Sequence, residues 1–227
     1  MILAIRRIVS IFAKLSTISI PVQAEAPALA HKLSHMKKLC FATNNPGKIA
    51  EIKGLLGGKF EILSLADIGC DVDLPEEQDT MEGNSSQKAR YVYDHFGVDC
   101  FADDSGLEVD ALNGAPGVYS ARFAGPQRKD SDNIDLLLTK LQGNSQRGAR
   151  FRTVITLIEG GKETQFTGTA EGDITEARSG EKGFGYDPVF RPEGMELTFA
   201  EISAEEKNRI SHRGKAVRSL VEYLAQK

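Results

Sequence analysis

The chain has 227 residues, 41% of them hydrophobic and 26% charged, with a formal net charge of −4. That balance suits one soluble globular domain plus a tail and excludes a fibrous or wholly disordered chain. Cys40, Cys70 and Cys100 lie far apart with no CxxC pair, which excludes an encoded disulfide framework or zinc finger and predicts small core residues in a reducing compartment, the cytoplasm.

Residues 1–36 differ from the rest: Arg6, Arg7, Lys14 and Lys32 stand against Glu25 alone, which leaves the remainder with 24 basic and 31 acidic residues, net −7. The stretch has the outline of a signal peptide, but Lys14 interrupts its apolar run, and it is too short and polar to span a bilayer. The favoured reading makes Met36 the working start, residues 1–36 a dispensable extension, and residues 37–227 one domain. A body of net −7 argues against binding long nucleic acid, and nothing reads as a membrane anchor.

In chain order, Lys38 to Thr43 predicts a short strand. Asn45 then caps a helix with Pro46 at its first position and Ile49, Ile52, Leu55 and Leu56 on one stripe. Lys48 opposes the dipole in that first turn, so the segment predicts an anion site of free backbone N–H groups and an ammonium. A Gly57-Gly58 stop precedes a strand over 60–65, and an acidic loop over 71–79 carries Glu76 and Glu77. A helix over 80–96 ends at Gly97. Cys100-Phe101-Ala102 reads as the end of a buried strand, followed at once by a turn, Asp103-Asp104-Ser105-Gly106. Adjacent carboxylates repel there and need a cation or a proton. Another helix over 130–141 and a hairpin of strands 151–158 and 163–170 follow.

Gly183 to Phe190, GFGYDPVF, predicts an aromatic platform, with Phe184 and Tyr186 to stack on and Asp187 to accept hydrogen bonds. Ser203 opens a capping box before Lys207. Ser211 caps the last helix, whose first turn holds His212 and Arg213, again cationic groups at a helix N-terminus. Two anion sites and an aromatic-acid loop fit a nucleoside polyphosphate, and Glu76 with Asp103-Asp104 fits the magnesium that accompanies it. No Cys/His or Ser/His arrangement offers a covalent route.

TNNPGK (43–48), FADDSGLEVDALNGAPGVYSARFAG (101–125), GFGYDPVF (183–190) and EEKNRISHRGKA (205–216) closely resemble the non-canonical purine nucleoside triphosphate pyrophosphatases, also called inosine/xanthosine triphosphate pyrophosphatases. The resemblance covers residues 37–227. It implies an α/β fold with a long central mixed sheet and flanking helices, two lobes around an active-site cleft, and a homodimer. It also implies Mg²⁺-dependent hydrolysis of ITP, dITP and XTP to the monophosphate and pyrophosphate.

By the same resemblance, Thr43, Asn44, Asn45, Pro46, Gly47 and Lys48 form the phosphate-binding turn. Glu76 and Asp104 hold the metal, and Asp104 also accepts the proton. Ser105 contacts substrate; Phe184, Gly185, Tyr186 and Asp187 make the base platform; Lys207, His212 and Arg213 complete the site. The chain departs from the family where T-F-E-E-N-A is replaced by Thr80-Met81-Glu82-Gly83-Asn84-Ser85, which loses one secondary carboxylate. A dTTP or UTP pyrophosphatase of related fold, or a non-catalytic nucleotide-binding regulator, are the alternative readings.

Overall fold

The computed structural model describes residues 37–56 and 60–226, so the N-terminal extension and the Gly57-Gly58 stop lie outside the described residues. Six strands form one mixed sheet in the order β2-β1-β3-β4-β5-β6. They are β1 (Lys38–Phe41), β2 (Glu61–Leu63), β3 (Cys100–Val109), β4 (Gly148–Glu159), β5 (Lys162–Ile174) and β6 (Phe190–Pro192). The first three run parallel and the rest pair antiparallel. Helices α1 (Pro46–Leu56), α2 (Met81–Phe96), α3 (Asp130–Lys140), α4 (Ala204–Ile210) and α5 (His212–Ala225) flank the sheet. Among the described residues no helix is long and apolar enough to cross a membrane.

The local signals act as their chemistry demands. The side chains of Thr80, Ser203 and Ser211 each accept from the backbone N–H three residues on, at the starts of α2, α4 and α5. Gly160 and Gly161, both at positive φ, close the β4–β5 hairpin in a two-residue turn, tighter than the four residues left between the predicted strands because Glu159 and Lys162 also pair.

The largest difference from the sequence reading is β3, which does not end at Ala102. It continues through Asp103, Asp104, Ser105 and Gly106 in unbroken register with β4, Asp103 opposite Ile155 and Gly106 opposite Arg152. The predicted turn is therefore the middle of a central strand. Strand alternation sends the two carboxylates to opposite faces, so they are not the repelling neighbours expected.

Three clusters form the core. Phe41, Phe101 and Leu157 pack with α1 and α5 on one face, and Cys40, Cys100 and Ala102 pack with α2 on the other. A third cluster, around Leu107, Phe151, Phe190 and Phe199, occupies the far end with α3. The cleft opens between these two ends. Burial pushes the Cys40 and Cys100 thiols up to about 12, in keeping with inert core residues.

Candidate active site

The cleft originates at a topological switch. From β1 the chain turns through α1 to β2 on one side, while β3 lies on the other. Because β1 stops at Phe41, the Asp103 carbonyl has no neighbouring strand on that edge. It accepts instead from Lys88 Nζ at 2.8 Å and Lys48 Nζ at 3.4 Å. A cavity of about 420 Å³ opens there, lined among others by Lys48, Glu76, Lys88, Asp104, Phe184, Lys207, His212 and Arg213.

In the turn before α1, the Asn45 side chain caps as expected, its Oδ1 accepting from the backbone N–H of Gly47 at 2.9 Å and of Lys48 at 3.1 Å. Two of the N–H groups predicted to be free for an anion are thus occupied. The Thr43 hydroxyl accepts from the Asn45 N–H, and Asn44 and Pro46 line the cavity.

Asp103, fully buried on the α1/α5 face, accepts from Arg213 Nε at 3.3 Å and pairs with Lys48 Nζ at 3.0 Å. Burial alone would raise its carboxyl; Lys48 and then Arg213 outweigh that and hold it far below the usual carboxylate range. Lys48 and Arg213 thus supply it with compensating charge. Arg213 also donates to Glu51 and to Ser105 Oγ, and Ser105 Oγ lies 2.6 Å from Thr153 Oγ1. Glu51 joins Arg213 to Lys207, whose Nζ sits 2.7 Å from Glu51 and 2.6 Å from Asp187. The cations at the start of α5 therefore answer buried carboxylates before any ligand arrives.

Asp104 faces α2. Its Oδ2 accepts from Asn84 Nδ2 at 3.1 Å and its Oδ1 from the Ser105 N–H at 3.0 Å, while Lys88 Nζ stands 4.0 Å away. Burial raises its carboxyl, and Lys88 and Lys48 offset this only in part. Glu76 lies beside it, its Oε1 accepting from Lys88 at 2.6 Å. Burial would raise Glu76 too, but Lys88 prevails and its carboxyl is lowered.

Asp104 and Glu76 are thus two hard oxygen donors lining one cavity. Among the described residues no third His, Cys, Asp or Glu joins them to make a protein cage. That donor set fits Mg²⁺, which takes one or two carboxylates and completes its shell with water and phosphate oxygens. At Gly83, where the family motif has Glu, a Cβ would meet the Gln78 Cβ at 2.7 Å. The side chains of Gln78 and Thr80 thus occupy the space that a side chain at position 83 would enter.

The aromatic loop departs from expectation at Tyr186. That ring is 3% exposed, and its hydroxyl donates to the Ser120 carbonyl at 2.9 Å. Phe184 is the less buried ring of the loop, with Lys207 Nζ 4.9 Å from its centre, and Asp187 Oδ2 accepts from the Phe184 N–H. The Gly185 N–H donates to Asp130 at 2.7 Å. A Cβ at Gly47 would come within 2.7 Å of the Phe184 ring, so the phosphate turn and the aromatic loop touch.

His212 stacks on Phe151 with ring centres 4.6 Å apart, and its Nδ1 is buried without a partner. Burial, then Arg213 and Lys207, hold its pKa well below the usual histidine value, so the ring is neutral. Gly168 permits this placement, since a Cβ there would lie 2.1 Å from the His212 carbonyl.

The structure thus gathers every predicted site residue at one cleft or its immediate support. Lys88, Asn84 and Glu51 were missed, being ordinary helix residues by local pattern. A Lys among apolar positions of α2 was the only signal for Lys88.

Fold and cleft define the class: a mixed α/β protein with a cation-lined cavity and two metal-type carboxylates. The chain belongs to the Ham1 family, whose pattern matches residues 39–223. It is 55% identical over 186 residues to a dITP/XTP pyrophosphatase of Flavobacterium psychrophilum, covering 82% of this chain and 98% of that protein. With a dITP/XTP pyrophosphatase of Flavobacterium johnsoniae the identity is 57% over 187 residues, 82% of this chain and 97% of the other. Among solved structures, the Ham1 protein of Staphylococcus aureus superposes with a TM-score of 0.77 at 38% identity, covering 84% of this chain and 99% of that one. A HAM1 protein from Coxiella burnetii gives 0.78 at 36%, covering 85% and 100%.

Proposed function

We propose that the protein hydrolyses purine nucleoside triphosphates of the ITP, dITP and XTP kind to the monophosphate and pyrophosphate. In this reading it uses Mg²⁺ and works as a homodimer in the cytoplasm. The observation that carries the reading is Asp104, a buried carboxylate with a raised pKa beside Glu76 and Lys88 in the cavity that also holds Phe184 and the unpaired His212 nitrogen.

A purine seats on Phe184, with the neutral His212 ring and its free Nδ1 in the same wall. Lys48 and Lys88 draw the phosphates toward the open edge of β3. Asp104 takes the proton of a water that attacks the α-phosphorus, and the bond to the bridging oxygen breaks with its electron pair leaving on pyrophosphate. Glu76 and Asp104 would hold the magnesium, which supplies charge neutralisation at the phosphates and a more acidic water.

Pyrophosphate release measured across ITP, XTP, GTP, ATP and dTTP with magnesium tests the reading. Turnover concentrated on ITP and XTP is expected. Preference for dTTP, or binding without turnover, would overturn it in favour of a pyrimidine enzyme or a regulator.

The extension 1–36 is proposed to be dispensable, an idea supported by its distinct charge and by a family match that begins at residue 39. A chain beginning at Met36 is expected to melt and turn over ITP like the full chain. An unfolded or inactive truncation would refute this.

A further inference from the structure

Two arginines at the cleft have been given no role above: Arg122, near the end of the second motif, and Arg128, which lies beyond it. Arg122 closes a short 3-10 segment, Gly117–Arg122, and Arg128 lies two residues ahead of α3; both line the cavity with Glu76, Lys88 and Asp104. Arg122 Nη1 is 4.0 Å and Arg128 Nη2 3.9 Å from the same oxygen, Oε2 of Glu76. Those separations exceed a hydrogen bond, and among the described residues neither guanidinium donates one. Arg122 lies 5.1 Å over the Tyr119 ring, and the Arg128 side chain is 60% exposed at the rim.

Since Lys88 already binds the other oxygen of Glu76, three cations converge on one carboxylate. The cluster holds more positive charge than it spends. Arg128 is also one of only two non-glycine residues at positive φ among the described residues, at 52°. Such a conformation in a residue with no small polar side chain marks a place where something other than local preference fixes the backbone.

We propose that Arg122 and Arg128 form a subsite for the pyrophosphate end of a triphosphate, holding the outer phosphates of substrate and the inorganic pyrophosphate that leaves. The idea rests on the reading of Glu76 as a metal carboxylate given above. Once a divalent cation satisfies Glu76, the two guanidinium groups need an anion within the same reach. A planar fork of N–H donors matches phosphate oxygens two at a time. Two guanidinium groups placed for the outer phosphates answer the two-phosphate product more strongly than the monophosphate, which has fewer anionic oxygens.

Arg128→Gly tests this cleanly, because glycine accepts the left-handed backbone and the variant is expected to fold as well as the parent or better. Titration calorimetry with inorganic pyrophosphate and, separately, with inosine monophosphate, each with magnesium, gives the readout. Pyrophosphate affinity is expected to fall about tenfold or more, as befits loss of charged hydrogen bonds, and monophosphate affinity to stay within about twofold, with the melting temperature unchanged or raised. Arg122→Gln is expected to act in the same direction.

Unchanged pyrophosphate affinity in both variants overturns the proposal, as does an equal loss for both ligands. A parent protein that fails to bind pyrophosphate overturns it as well. A parent that binds pyrophosphate but does not turn over ITP would refute the proposed reaction while leaving the subsite to be judged on the variants.

Discussion

Asp104→Asn is expected to lower magnesium-dependent turnover by about 10²- to 10⁴-fold, the range for loss of a general base, and weaker metal binding adds to that. The same change leaves the apo fold nearly untouched. A folded-state pKa above the unfolded one means that Asp104 contributes stability only at low pH and loses it as pH rises through the folded value. At neutral pH its charge is a liability that the amide removes. Against this, the new amide meets the Asn84 Nδ2 donor to donor, a loss of about 1 kcal/mol. The two offset, so the melting temperature should move by no more than a few degrees. Retention of more than about a tenth of parental activity would show that the proton goes elsewhere.

Asp103→Asn is expected to do the reverse: to unsettle the fold first. The change strips the charge from a fully buried carboxylate flanked by Arg213 and Lys48, and leaves two buried cations short of a partner. Breaking such a pair costs about 3–5 kcal/mol, which for a domain of this size lowers the melting temperature by roughly 6–20 °C. Activity falls as well, so melting is the diagnostic measurement. The lowered pKa of Asp103 gives the pH dependence: its stabilisation is present above the ordinary carboxylate value of 3.8 and is lost as pH falls toward the folded value. The parent should therefore lose its advantage over the variant in acid. Equal melting at pH 7 would mean that Asp103 does not anchor the start of α5.

The paired expectations bear on what the sequence could reveal. The helices, their caps and the glycine hairpin were legible because each is written within a few neighbouring residues. Four motifs also marked most of the cleft. The course of β3 was not legible, since Asp-Asp-Ser-Gly carries every local mark of a turn and the cations that let it run on as a strand come from Lys48 and Arg213, far away in the chain. Lys48 and Arg213 were read as waiting for a ligand anion, whereas each already has a carboxylate. Tyr186 was taken for part of the base platform; it lines the cavity, but its burial and its bond to the Ser120 carbonyl, which composition does not reveal, fix its ring in the wall. Arg122, though inside the second motif, and Arg128 were given no role.

The alternation of Asp103 and Asp104 along β3 has one more consequence, which concerns length rather than chemistry. Two consecutive codons serve the two faces of the sheet, one packed against α5 and the other against α2. What assigns each carboxylate to its face is parity, the count of residues from the point where β3 enters the sheet. Insertion of two residues ahead of Asp103 keeps each acid on its own side, while insertion of one exchanges them and faces the reactive carboxyl with Arg213 and the anchoring one with Lys88. A change of this strand by an odd number of residues therefore needs a β-bulge to restore each acid to its side, although both neighbouring positions encode the same amino acid.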